Sequence, residues 1–262
     1  MPDALVSFRA SNGIAVLELN APPANTYSYE MMQQLDAAIL RARMDDEVHV
    51  LVLRGAGEKF FCAGADIRML ASVSPRYKYY FCLHANETLN RLEQTPKLVI
   101  AALNGHAVGG GLEVAMAADI RIARRDGGKI GLPEATLGVL PGTGGTQRLA
   151  RLVGRAKAIE LMATARTFSF DEGLTLGLVT HVFEPQRFWD EVLDYARRFC
   201  PPNAASRAVG MIKRSVVTGS EMAFTEALAL ERELQEQLFE SEDAKEGLSA
   251  YTEKRPPRFK GA

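Results

Sequence analysis

The sequence has little of what marks most specialised protein classes. Its 262 residues contain only three cysteines, Cys62, Cys82 and Cys200. That odd, sparse count excludes a disulfide framework or a cysteine-rich zinc module and fits a reducing compartment. The four histidines, His49, His84, His106 and His181, are scattered without ligand spacing, so no metal site is expected. No apolar run approaches the roughly 20 residues that span a bilayer. Met1-Pro-Asp-Ala lacks the basic and apolar regions of a secretory signal, and a cytoplasmic protein is the simplest expectation. Neither sign of charge is in excess: 31 Lys and Arg face 32 Asp and Glu. A formal net charge of -1 offers no general attraction for nucleic acid or an anionic membrane. A Gly-Lys-Ser/Thr phosphate loop is missing, and Gly109-Gly110-Gly111 and Gly142-Thr-Gly144-Gly145 both lack the third glycine of G-x-G-x-x-G. Internal repeats and low-complexity tracts are missing too.

What remains is an ordinary globular composition, 47% hydrophobic and 24% charged, enough for one large domain or a core with an appendage. β-rich runs at Ile14–Leu19, Val48–Leu53, Leu98–Leu103 and Ile120–Ala123 are bounded by Gly, Pro and Asn. Ser28 is placed to cap a helix through about Arg43, with Met31, Met32, Leu35 and Ile39 as its apolar stripe. Strands and helices alternate to about residue 190, which favours an α/β spiral or layered fold. Ser169-Phe-Asp-Glu172 has capping-box spacing and reads as a helix start, not a nucleophilic serine. The chain then turns helical, from about residue 195. Pro201-Pro202 breaks it, Asn203 is predicted to start a helix to about Val217, and Ser220 to cap one to about Glu240. Ser241 is predicted to cap a last helix before Pro256-Pro257. Met222, Leu228, Leu230, Leu234 and Leu238 need a surface to cover, in this subunit or a neighbour.

Glycine is plentiful, and it gathers around two carboxyl groups. Glu113 ends Asn104-Gly-His-Ala-Val-Gly-Gly-Gly-Leu-Glu113; Glu134 ends Gly131-Leu-Pro-Glu134 and is followed by Pro141-Gly-Thr-Gly-Gly-Thr-Gln-Arg148. Glycine lets a ligand approach the backbone, and unpaired N–H groups at a helix start face whatever lies in front. Taken alone, the first segment fits either an oxyanion or phosphate site or a tight turn with Glu113 at the positive end of a helix. Glu134 is either a solvated loop carboxylate or one held by a stiff Pro- and Gly-rich loop. Phe60-Phe-Cys-Ala-Gly64-Ala65-Asp66 is a second small-residue turn after a strand, able to add another N–H to the same carbonyl oxygen. Two carboxyls crowded into one dry pocket could divide a proton-transfer task, one neutral and one charged. Cys62 reads as a small buried residue, and His106 as a packed or hydrogen-bonded one.

These segments, with Asn20-Ala-Pro-Pro-Ala-Asn25, Phe61-Cys-Ala-Gly-Ala-Asp-Ile67, Leu132-Pro-Glu-Ala-Thr-Leu-Gly138, Pro141 to Leu149, Asp243-Ala-Lys-Glu-Gly and Glu253-Lys-Arg255, resemble the crotonase (enoyl-CoA hydratase/isomerase) superfamily, over nearly the whole chain. The resemblance implies a crotonase-type α/β spiral of ββα units holding the acyl-CoA site (1–195) and a helical C-terminal oligomerisation region (196–262) that builds homotrimers, usually paired into hexamers. It implies an acyl-CoA substrate, with coenzyme A part of the substrate and no separate cofactor. By motif position the oxyanion donors are the N–H groups of Ala65 and Gly110. Family hydratases use two glutamates on one water. Glu134 would supply the C2 proton, Glu113 would activate the water that attacks C3, and Gly142 N–H would position it. Ala63, Asp66 and Ile67 match the adenine-contacting segment. Tyr251 and Lys254 match positions that reach a neighbouring subunit's CoA, although Lys254 by itself is an ordinary tail charge. Double-bond isomerases of the family commonly rely on one carboxylate near the Glu134 position, so the pair favours hydration. Asp126-Gly127-Gly128 makes the stretch between the glutamates about one residue longer than in a typical hydratase. Ser72 to Asn86, with Tyr77, Tyr79, Tyr80 and Phe81, is expected to line or cover the acyl pocket. Its aromatics suggest a short or branched chain, such as crotonyl-CoA or the 3-methylglutaconyl-CoA of leucine breakdown.

Overall fold

The computed structural model describes residues 4–262. Among the described residues, ten strands divide between two sheets. They are β1 (Val6–Ser11), β2 (Ile14–Leu19), β3 (Val50–Gly55), β4 (Phe60–Cys62), β5 (Leu98–Leu103), β6 (His106–Val108), β7 (Ile120–Arg124), β8 (Lys129–Gly131), β9 (Thr167–Ser169) and β10 (His181–Phe183). The larger sheet has the order β1-β2-β3-β5-β7-β10 and the smaller β4-β6-β8-β9. Only β1–β2 and β8–β9 pair antiparallel. Each turn of the chain places one strand in the large sheet and the next in the small one: β3 then β4, β5 then β6, β7 then β8. That is the expected spiral of ββα units.

The helices are α1 (Tyr29–Met44), α2 (Ile67–Ser72), α3 (Pro75–Glu93), α4 (Gly110–Met116), α5 (Gly145–Val153), α6 (Arg155–Ala163), α7 (Phe170–Thr175), α8 (Phe188–Arg197), α9 (Ser206–Gly219), α10 (Phe224–Phe239) and α11 (Glu242–Glu253). β5 reads as an unbroken apolar run because both its faces are covered. Val99, Ala101 and Leu103 enter the main core with α1 and α3. Leu98, Ile100 and Ala102 enter a second core under Phe188, Val192 and Ala196 of α8. α9 is pinned to the large sheet by buried Lys213, whose Nζ lies 2.8 Å from Asp119 Oδ2; that carboxylate also accepts from Val99 N at 2.7 Å.

Ser28, Ser169 and Ser241 cap helices as expected, each accepting an N–H from the first turn. Glu172 completes only half of a capping box, because its carboxylate pairs with Arg166 instead. Two predicted caps are elsewhere. Asn203 sits in the turn after Pro201-Pro202 and donates its amide to Arg197 O at 3.0 Å; α9 starts three residues later. Ser220 closes α9, its N–H bonded to Val216 O, and α10 begins after Ala223. Asp126-Gly127-Gly128 falls in the β7–β8 turn, where Asp126 has φ 55° and Gly127 N donates to Arg124 O. The β6–β8 register, Ala107 opposite Ile130 and Val108 opposite Gly131, is intact.

Candidate active site

The spiral brings the glycine-rich turns after β4 and β6 side by side. Two buried asparagines clamp the connections between the sheets. Asn104 accepts from Gly55 N and donates to Gly55 O and Gly57 O; Asn25 donates to Ala56 O and Phe60 O. Gly64 (φ 89°) packs against the next turn so tightly that a Cβ there would stand 2.8 Å from Gly110 N. Ala65 bridges Tyr27 through its neighbours: Tyr27 N donates to Gly64 O and Asp66 N donates to Tyr27 O. In a parallel bridge this turns Ala65's own N–H to the opposite side. Gly110 N is the first orphan donor of α4. Among the described residues neither N–H has a protein acceptor, and both residues line the same cavity of about 370 Å³.

Glu113 and Glu134 line that cavity too. Glu113, 2% exposed in the first turn of α4, is held through both carboxylate oxygens. Oε1 accepts from Thr143 N at 2.8 Å and Gly145 N at 2.7 Å, and Oε2 accepts from the Thr143 hydroxyl. Burial pushes this carboxyl up from its ordinary range, while those donors and the Arg148 guanidinium oppose the shift. Glu134 opens a single 3₁₀ turn, Glu134–Leu137, between Pro133 and left-handed Gly138. Its buried Oε2 has no hydrogen-bond partner among the described residues. Burial, reinforced by the nearby Glu113 charge, pushes its pKa up to about 7. A Cβ at Gly109 (φ 56°) would meet Glu134 Oε1 at 2.8 Å, and one at Gly145 would meet Glu113 Oε1 at 2.9 Å. The glycines thus leave room for both carboxyls. Gly142 is also on the wall, and its N–H has no protein acceptor among the described residues.

Of the segment matched to adenine contacts, Ala63 and Ile67 reach the cavity. Asp66 instead caps α2, accepting from Arg68 N at 2.8 Å and Met69 N at 3.4 Å. Tyr251, 87% exposed on α11, and Lys254 at its C-cap lie outside this chain's own cavity. From Ser72–Asn86 only Lys78, Phe81 and Cys82 line the wall; Tyr77, Tyr79 and Tyr80 point outward. The helical turn explains Tyr79 and Tyr80, since one face of α3 buries Phe81, Ala85, Leu89 and Leu92; Tyr77 is on that face but in the exposed first turn. Cys62 is fully buried, its thiol pushed up to about 12 by burial. His106 accepts from Lys129 N at 3.0 Å through Nδ1 and packs on Phe60, a structural role.

Reading the sequence alone overlooks Tyr27 and the hydroxyl of Thr143. Thr143 stands inside a quoted glycine motif, yet only folding reveals that its N–H and O–H both serve Glu113. The signal available was a polar residue amid Pro141-Gly-Thr-Gly-Gly, a place where a glycine-like turn needs no hydroxyl.

Residues 9–262 match the enoyl-CoA hydratase/isomerase family. The chain is similar to the short-chain-enoyl-CoA hydratase of Clostridium acetobutylicum, with 40% identity over 243 residues that cover 92% of each chain. It is also similar to the mitochondrial methylglutaconyl-CoA hydratase of Rattus norvegicus, with 37% identity over 256 residues, 96% of this chain and 80% of that one. A crystal structure of an enoyl-CoA hydratase from Geobacillus kaustophilus HTA426 matches the fold with a TM-score of 0.97 at 45% identity, covering 100% of this chain and 98% of that one. Likeness in sequence and in fold runs the whole length, through every turn that builds the cavity, and the chain belongs to the enoyl-CoA hydratase/isomerase family.

Proposed function

We propose that the chain catalyses reversible addition of water across the 2,3 double bond of a short or branched 2-enoyl-CoA. One observation carries this reading: two carboxyls, one satisfied by donors and one with a bare oxygen, share a cavity with two unpaired backbone N–H groups. The thioester oxygen accepts from Ala65 N–H and Gly110 N–H, which stabilise the enolate-like charge as it develops. Glu113, surrounded by donors, is the ionised partner and takes a proton from water as the oxygen bonds to C3. Glu134, with its raised pKa, is the neutral partner and gives its proton to C2. Gly142 N–H orients the water. The pair begins and ends with one proton, so hydration and dehydration need the same net charge on the site.

Tyr27, Leu70, Phe81, Leu137, Val139 and Leu140 give the cavity an apolar wall suited to a short acyl chain. Coenzyme A enters as part of the substrate, along Ala63 and Ile67, and no further cofactor takes part. The exposed positions of Tyr251 and Lys254 suit contact with CoA held by a neighbouring subunit, Lys254 pairing with a phosphate. The assembly we propose is a homotrimer, alone or paired into a hexamer. A reducing, cytoplasmic setting suits three unpaired thiols.

The test is the loss of enoyl absorbance on mixing with crotonyl-CoA and a panel of branched enoyl-CoA esters. Glu113→Gln and Glu134→Gln should each lower kcat on the order of 10²–10⁴-fold with little change in KM. The wild-type kcat/KM should fall as pH rises through about 7, where Glu134 loses its proton, and in both directions alike. Variants that both retain full rate would reject the mechanism.

A further inference from the structure

Tyr27 occupies a junction that no motif marks. Its main chain holds the Gly64–Asp66 turn, with Tyr27 N donating to Gly64 O at 2.9 Å and Asp66 N donating to Tyr27 O at 3.2 Å. Its ring stacks on Phe81 with centroids 5.9 Å apart. Its hydroxyl lies so close to Gly110 that a Cβ there would overlap it. One residue therefore abuts both turns that carry the unpaired N–H groups. The hydroxyl itself is 3.2 Å from Thr143 Oγ1. Both side chains are buried, each residue 2% exposed.

Thr143 is held at every polar atom. Arg148 Nη1 donates to its carbonyl at 3.3 Å, and its N–H and O–H both go to Glu113. An ionised carboxylate only accepts, and a threonine hydroxyl has a single proton. That proton is committed to Glu113 Oε2, so the Tyr27 hydroxyl must be the donor to Thr143. Such a chain polarises each link and strengthens the last one. Resting on the hydratase reading, we propose that Tyr27 is a positioning residue: its hydroxyl, acting through Thr143, holds the Glu113 carboxylate ionised and aimed at the attacking water.

The charged and titratable groups facing Glu113 are few. They are Arg148 of α5, Glu134 of the 3₁₀ turn, Cys82 of α3 and Tyr27 itself. Burial raises the Cys82 thiol and the Tyr27 phenol, so both stay protonated at neutral pH. The Glu113–Glu134 pair is what titrates, and loss of the Tyr27 donor makes Glu113 harder to ionise.

The test compares wild type, Tyr27→Phe, Thr143→Val, Thr143→Ser and the double variant Tyr27→Phe/Thr143→Val on crotonyl-CoA. Phenylalanine keeps the packing and removes only the hydroxyl. Tyr27→Phe should lower kcat about five- to tenfold, the worth of one net hydrogen bond. It should leave KM unchanged and move the acid limb of the kcat/KM profile to higher pH. Thr143→Val should lower kcat at least as far, and Thr143→Ser, which keeps the hydroxyl, should recover most of that loss. The double variant should match Thr143→Val, because Tyr27 acts through that hydroxyl. Thr143→Val cuts the same link from the other side and carries the test should Tyr27→Phe misfold. A Tyr27→Phe enzyme with wild-type kcat and pH profile, or a double variant in which the two losses multiply, overturns the proposal alone. A wild-type chain inert toward every enoyl-CoA ester overturns the hydratase reading and this proposal with it.

Discussion

Two glutamates of the same chemistry are separated by their surroundings. Glu113 has donors on both oxygens, while one buried oxygen of Glu134 has none among the described residues. The difference has a consequence for stability as well as catalysis. A Glu pKa near about 4.3 in the unfolded chain rises to about 7 in the folded one. Between those values the folded chain binds a proton that the unfolded chain does not, so stability falls as pH rises through this window. Glu134→Gln removes the linkage. Its melting temperature should exceed that of wild type at pH 8, and the gap should narrow at pH 5. A constant gap in thermal melts at the two pH values would mean that Glu134 titrates normally. Both acids were legible because glycines cluster around them. Thr143's service to Glu113 was not, and neither was Tyr27's link to Thr143 across 116 residues of sequence.

Elements were readable wherever their signals are local. Ser28 and Ser241 cap helices because the side-chain oxygen needs only an N–H three residues on. Ser220 offered the same signal and was overridden. It continues the last turn of α9 in right-handed geometry, and its hydroxyl donates to Val217 O. Capping chemistry cannot tell a serine that begins one helix from a serine that ends another when only three residues intervene. A paired measurement separates them. Ser28→Ala should destabilise the chain by about 1 kcal/mol, whereas Ser220→Ala, exposed and capping no helix N-terminus, should stay within about 0.5 kcal/mol. Chemical denaturation of the two variants reads the contrast directly. The segment expected to line the pocket met a similar limit. An aromatic cluster in the sequence says nothing about helical phase: the 3.6-residue repeat turned Tyr79 and Tyr80 away from Phe81, while Tyr77, on the same face as Phe81, lies in the exposed first turn of α3.

At the scale of the whole molecule, the C-terminal helices bury little of their apolar surface in this chain. Leu234 is the one residue of α10 that is buried, while Phe224 is 78% exposed and Phe239 56%. Ile212 and Val216 of α9 are exposed beside them. Large apolar side chains left exposed along these helices suit an interface between copies, in keeping with the proposed trimer. Val216→Asp combined with Phe224→Asp should lower the mass in light scattering from a multiple of three chains to one. Unchanged mass would place the interface elsewhere.

Residue types and their spacing were enough to determine the strand–helix alternation, the glycine turns and the two acids, because each depends on neighbours a few positions away. The ββα winding was legible only through the family resemblance that the order of motifs carries; strand–helix alternation alone left a spiral or a layered fold open. Only the tertiary structure decided which carboxyl is saturated with donors, which hydroxyls stand behind it, and which face of α3 meets the cavity. Those outcomes depend on contacts between segments far apart in the chain, and on burial, which shifts proton affinities by removing water from groups that no local pattern shows to be dry.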